Sequence, residues 1–154
     1  MPQHLSVAHN IEVDAPVDRT FRYFTPAGEE LWVEGWRPRY IHPADGRTEA
    51  GMVFTTGEQG ELTIWTLADF DPLRHRSRYL RCTPASRTGM VEVACESADA
   101  GRTRVRVRYT LTALNPAGER ELQAFEGEGF AAMIDAWAAR IRALREVLAT
   151  AVIR

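Results

Sequence analysis

The sequence predicts an α+β fold: a curved antiparallel sheet around one long C-terminal helix, with two short helices after the first strand. Three observations carry this expectation: a strand-like opening run, a block of short strands in the middle of the chain, and an apolar stripe at helical spacing along its end. The stripe is the strongest of the three. Leu122, Phe125, Phe130, Met133, Ile134, Trp137, Ile141, Leu144 and Leu148 recur on one helical face between Asn115 and about Val152, which reads as one continuous helix. About 33 helical residues span about 50 Å, enough to cross the whole of a domain this small. Such a stripe needs an apolar partner, and the strand block before it is the only one available. A curved sheet gripping a long helix leaves a hollow between the two, so the pattern predicts a container.

The elements follow in order. Val7–Val13 alternates as a strand and ends at Asp14-Ala15-Pro16, where Asp14 is expected to cap a helix and Pro16 to occupy its first turn. Val17, Thr20, Phe21 and Phe24 share a short helical face. Thr25-Pro26 stops that helix and starts another through Ala27 to Trp32. Strands are expected near Arg39–His42, Met52–Thr56, Leu62–Asp69, Arg76–Cys82, Met90–Glu96 and Arg104–Leu114, separated by turn signals such as Asp45-Gly46, Gly57 to Gly60 and Asp71-Pro72.

The last hairpin can be registered from sequence alone. Asp99-Ala100-Gly101 reads as a three-residue loop with Gly at the left-handed position. Ala98 then faces Arg102, and counting back pairs Cys95 with Val105, Val93 with Val107 and Val91 with Tyr109, all on one face. The other face pairs Glu96 with Arg104 and Glu92 with Arg108, each pair contributing roughly 0.2–1 kcal/mol. The apolar face is therefore expected inside and the arginine stripe in solvent. Met52, Phe54, Trp65 and Leu67 share an inner face if the Thr56–Glu61 turn is short. In the strand from Arg76 to Cys82, either Tyr79 and Arg81 or Leu80 and Cys82 point inward.

Composition narrows the function classes. The chain has 154 residues and a formal charge of −2, with 45% hydrophobic and 26% charged residues, which suits one globular domain and not a polyanion binder. Its opening residues resemble neither a signal peptide nor a membrane span, so the expected location is the cytoplasm. Cys82 and Cys95 both lie in strand-like runs and read as reduced core thiols. All 19 basic residues are arginine, which removes lysine Schiff-base chemistry.

With these elements placed, the chain resembles the SRPBCC superfamily, the helix-grip (Bet v 1-like) fold shared by START lipid-binding domains, birch-pollen-type allergens, polyketide cyclases and Hsp90-ATPase-activator-like proteins. The resemblance runs over nearly the full length. It rests on the strand leading into Val13-Asp14-Ala15-Pro16-Val17-Asp18-Arg19-Thr20-Phe21, on Thr25 to Trp32 with Gly35-Trp36, on Phe70-Asp71-Pro72, and on Phe130 to Trp137 in the closing helix. The two middle segments are similar to a bacterial subgroup of polyketide cyclase and Hsp90-activator type. The resemblance implies the fold and a cavity for a hydrophobic ligand. It implies no particular reaction and carries no catalytic set onto these positions.

Motif chemistry is sparse. His4, His9, His42 and His75 are scattered and no metal-ligand spacing occurs, so neither a metal nor a cofactor is expected. Gly127-Glu128-Gly129 sits within the expected helix with no strand before it, which excludes a phosphate loop. It marks either close packing with a mild kink or a thinned wall beside the cavity. The arginine runs alternate with valine opposite glutamates and read as a solvated sheet face, not a nucleic-acid surface. The expected ligand-binding residues are Trp32, Trp36, Phe54, Trp65, Tyr79, Tyr109, Phe125, Gly129 and Met133, around a lipid, aromatic or polyketide-like molecule. Trp137 is read as core. No catalytic residue is assigned, and whether the protein is an enzyme stays open. A cyclase or dehydratase would draw on His42, Asp69, Tyr79, Arg81, Tyr109 or Glu126, foremost Tyr79, Arg81 and Tyr109 for proton transfer and enolate stabilisation. Structural roles compete: Asp69 as a turn cap, Arg81 paired with Glu30 or another acid, Tyr109 as a core filler. A chaperone-contacting surface is the third reading, and the chain is expected to be a monomer or homodimer.

Overall fold

The computed structural model describes residues 3–57 and 60–153, with side chains to residue 150. Strands β1 His4–Val13, β2 Arg39–His42, β3 Val53–Thr56, β4 Thr63–Asp71, β5 Arg76–Thr83, β6 Arg87–Ser97 and β7 Thr103–Ala113 form one sheet in the order β1-β7-β6-β5-β4-β3-β2. Every neighbouring pair is antiparallel. Helices α1 Val17–Tyr23 and α2 Pro26–Glu29 follow β1, and α3 Pro116–Gln123 and α4 Gly129–Ile153 close the chain. This is the helix-grip arrangement: the sheet curves around α4, which lies against β1 while α3 rests on β7 and α1 on β6. No helix among the described residues is long and apolar enough to cross a membrane.

The β6–β7 hairpin has the expected register. Cys95 faces Val105, Val93 faces Val107 and Val91 faces Tyr109. These six side chains are buried, whereas Arg104 and Arg106 are exposed and Arg104 pairs with Glu96 at 2.9 Å. In the loop, Ala100 as well as Gly101 is left-handed, with φ of 59° and 71°. Met52, Phe54, Trp65 and Leu67 do share the inner face, and Phe54 stacks on Trp65 with centroids 5.7 Å apart. Burying each large apolar side chain of this kind contributes about 1.5–3 kcal/mol. On β5 the inward set is Ser77, Tyr79 and Arg81; Leu80 is exposed, and Cys82 is half-buried on the outer face, so only Cys95 is a core thiol.

Three expectations need correction. The closing segment is two helices, not one. The stripe itself carries the break, because Phe125 and Phe130 are five residues apart where a helical face repeats every three or four. Ala124, Phe125 and Glu126 tighten into three-residue turns, with their amides bonded to the carbonyls of Glu121, Leu122 and Gln123. Gly127 then takes φ of +59°, a left-handed conformation that ends α-helices. Neither reading of the glycines inside a continuous helix holds: they build the junction. Asp14 does not cap α1. Pro16 is the cap residue with no side-chain hydrogen bond, and Asp14 pairs with Arg102 at 3.4 Å. The strands also run past several expected ends: β1 begins at His4 and β6 at Arg87, because pairing with β7 continues out to Thr112 and Ala113. Periodicity of one segment alone does not reveal that extension.

Two His–Asp contacts fasten helices to the sheet. His9 on β1 reaches Asp135 of α4 at 2.8 Å, and His75 in the β4–β5 turn reaches Asp18 of α1 at 2.6 Å. The Asp71 carboxylate accepts the Leu73 and Arg74 amides in that turn, while Asp69 pairs with Arg78 at 3.1 Å; Asp71, not Asp69, caps it.

Candidate functional site

Rings from both ends of the chain converge between the sheet and α4. Trp36 packs edge-on against Trp65 and Phe54, Tyr79 packs edge-on against both, and Tyr109 meets Trp137 of α4. Between them lies a cavity of about 180 Å³, lined by Glu29, Val33, Trp36, Phe54, Trp65, Tyr79, Arg81, Val91, Val93, Tyr109 and Trp137. A larger groove of about 580 Å³ runs along the far ends of β4 and β5. Charged residues such as Asp71, Arg74, Arg76 and Arg106 line it, and it does not have the apolar walls of a small-molecule chamber.

Of the residues expected at the site, Trp36, Phe54, Trp65, Tyr79 and Tyr109 meet at this cavity. Trp32, Phe125, Gly129 and Met133 lie outside its lining. Trp32 is buried with its indole N–H donating to the Tyr23 carbonyl at 2.8 Å, packed on Phe24 and Trp137. Phe125 packs on Tyr109 and Phe130, and Met133 is a partly buried side chain against the core. Gly129 opens α4, where an added Cβ would collide with the Ala124 carbonyl oxygen. His42, Asp69 and Glu126 are exposed and do not line the cavity.

The lining also holds residues not foreseen as ligand contacts. Val91 and Val93 were already on the inner hairpin face, and Trp137 on the helical stripe, but burial alone does not separate a cavity wall from filled core. Glu29, Val33 and Trp36 lie four and three residues apart, one helical face. That spacing was the signal for Glu29.

The polar groups have different standing. Tyr79 donates its hydroxyl to the Phe24 carbonyl at 3.0 Å, which ties β5 to the end of α1, and burial pushes its pKa well above the usual phenol value. The Tyr109 hydroxyl has no hydrogen bond among the described residues; burial raises its pKa, with Arg81 pulling the other way. Glu29 is the acid of the cavity, and burial holds its carboxyl well above the ordinary carboxylate range. Arg81 is not paired with Glu30, whose carboxylate instead accepts the Tyr40 hydroxyl at 2.8 Å. Its guanidinium carbon lies 5.0 Å from the centroid of the Trp65 ring, its cross-strand neighbour. One terminal nitrogen reaches Thr83 Oγ1 at 3.4 Å, and the buried Nε has no partner. Burial lowers the pKa of Arg81, yet a guanidinium stays charged in proteins.

The fold defines a helix-grip protein, and comparison with known proteins gives its family. Residues 4–148 match the family described as "Polyketide cyclase / dehydrase and lipid transport". The chain belongs to this family, within the SRPBCC superfamily. No curated protein matches it in sequence. Among solved structures it is similar to a protein from Thermobifida fusca determined by solution NMR (20% identity over 90% of this chain and 94% of that one, TM-score 0.68). It is also similar to a hypothetical protein from Helicobacter pylori (14% identity, 88% and 86% covered, TM-score 0.68) and to norcoclaurine synthase from Thalictrum flavum (16% identity, 88% and 85% covered, TM-score 0.61). At these identities the likeness is one of fold.

Proposed function

We propose that this protein binds a small aromatic molecule in the cavity between sheet and helix. The observation that carries the reading is the convergence of Trp36, Phe54, Trp65, Tyr79, Tyr109 and Trp137 on one partly open cavity of about 180 Å³. Apolar walls supply affinity at roughly 25 cal/mol per Å² buried, and the few polar groups supply orientation. The volume favours the aromatic alternative over a long-chain lipid, since a cavity near 150 Å³ admits about one benzene ring. Norcoclaurine synthase, which shares the fold, has been solved with dopamine and hydroxybenzaldehyde, both single-ring aromatics. Calorimetry and tryptophan fluorescence with benzyl alcohol and benzamide test the reading. A one-to-one, saturable signal is expected, abolished in Val91→Phe, which adds a ring to the wall. Absence of binding by every single-ring probe at millimolar concentration, or binding that a folded Val91→Phe leaves unchanged, would overturn it.

A second reading is catalytic, and the grouping of Glu29, Tyr109 and Arg81 on one apolar chamber favours it. A protonated carboxyl can give and retake a proton, and a guanidinium can hold a developing enolate oxygen, which are the needs of cyclisation or dehydration next to a carbonyl. With its hydroxyl engaged by Phe24, Tyr79 leaves the proton-transfer role to Glu29 and Tyr109. Turnover by this route loses its pH-dependent limb in Glu29→Gln; a profile unchanged by that substitution removes Glu29 from the chemistry. Membership of the polyketide cyclase / dehydrase and lipid transport family accords with either reading.

A further inference from the structure

We infer that the cavity selects an aromatic carboxylate of one ring, with Arg81 taking the carboxylate and the aromatic walls of the cavity holding the ring. The inference rests on the ligand-binding reading above and names the chemistry of its ligand. Arg81 is the cationic residue of the lining, and it reaches the inner face because β5 alternates Tyr79 and Arg81 inward. Its cross-strand neighbours are Trp65 on β4 and Gly89 on β6, so one flank is an aromatic face and the other carries no side chain. Among the described residues no carboxylate lies within ion-pairing distance of it. Its polar contact is the long one to Thr83, and Nε is buried without a partner.

A charge held in an apolar chamber is costly unless it is paired. The Trp65 ring offsets part of that cost through cation–π attraction. The remaining donors of the planar fork match the two oxygens of a carboxylate, a geometry that lysine cannot reproduce. Nearby acids do not compete: Glu30 is held by Tyr40 and Glu61 by Arg87, the latter at 2.9 Å. Burial holds the Glu29 carboxyl, on the same cavity, well above the ordinary carboxylate range, which lessens its repulsion of an anion there. Tyr109, with a hydroxyl free of hydrogen bonds among the described residues, supplies a further donor on the β7 side. The volume of about 180 Å³ holds a ring and a short substituent; pockets for larger organic ligands run to roughly 300–1,000 Å³.

The test is calorimetry at neutral pH with benzoate, phenylacetate, benzamide and palmitate on the intact chain, followed by Arg81→Met, which keeps the stem over Trp65 and removes the charge. Benzoate or phenylacetate is expected to bind at least about tenfold tighter than benzamide, the advantage of a charge-assisted hydrogen bond. In Arg81→Met that preference collapses, the carboxylates losing more affinity than benzamide. Benzamide binding as tightly as the carboxylates overturns the inference and leaves the aromatic-binding reading standing. Failure of all the ring probes overturns both. Palmitate binding as tightly as benzoate overturns the size selection. The comparison within the native protein decides the matter even if Arg81→Met does not fold.

Discussion

Glu29 ties the stability of this fold to pH. Burial holds its carboxyl above the ordinary value of 4.5, so from 4.5 up to its folded value the native chain keeps a proton that the unfolded chain has released. The stability tied to that proton is complete below 4.5 and is lost as pH rises through the raised value. Glu29→Gln does not titrate. Its melting temperature relative to the native protein is therefore expected to climb across that window and to be level below it; a difference constant from pH 4 to 9 would show a solvated carboxyl. Cys95 gives a second check at this scale. Burial pushes its thiol up to about 12, so at pH 8 it is almost wholly protonated and enclosed. Iodoacetamide at pH 8 should spare Cys95 in the folded chain and modify it only as the protein unfolds. Modification of Cys95 at the rate of a model thiol would contradict its burial.

The junction between α3 and α4 is the element whose geometry depends most on a single backbone conformation. Gly127 at φ of +59° turns the chain so that Phe125 and Phe130 both reach Tyr109, which a straight helix with a five-residue step cannot do. Gly127→Ala places a Cβ in the left-handed region at a cost of about 1–2 kcal/mol, a fall of about 2–8 °C in Tm for a chain of this length. Among the described residues no atom stands within 4 Å of the added Cβ, so the effect is conformational. Gly127→Asn, which tolerates that region, should recover part of the loss. Equal melting temperatures for all three proteins would mean the junction is not left-handed in solution.

Across the whole molecule, stability is unevenly distributed. Strands β1, β7 and β6 pair along ten or eleven residues each, whereas β2 has four residues and lies at the sheet edge with three of them exposed. Local opening follows burial and pairing, so β2 amides should exchange by local fraying, with protection factors several orders of magnitude below those of β6 and β7. Uniform protection across the sheet would sink this gradient. The cavity is lined by strands β3 to β7, by α4 and by residues between Glu29 and Trp36, so a bound aromatic ring should slow exchange first in the least paired of these, β3 and the segment 29–36.

The sequence by itself determined the fold class, the order of elements and the β6–β7 register, because strand alternation, helical spacing and turn chemistry are local properties. It also carried, in the step from Phe125 to Phe130, the break that divides the closing helix. Tertiary structure decided the rest. Which face of β5 points inward followed only from pairing with β4 and β6, since Tyr79 with Arg81 and Leu80 with Cys82 alternate equally well. That Arg81 enters the chamber without an acid, that Glu29 faces it, and that Trp32 fills core while Trp137 lines the cavity are outcomes of long-range packing. A side chain's neighbours across a curved sheet come from distant parts of the chain, and no local pattern encodes which buried aromatic touches another ring and which touches empty space.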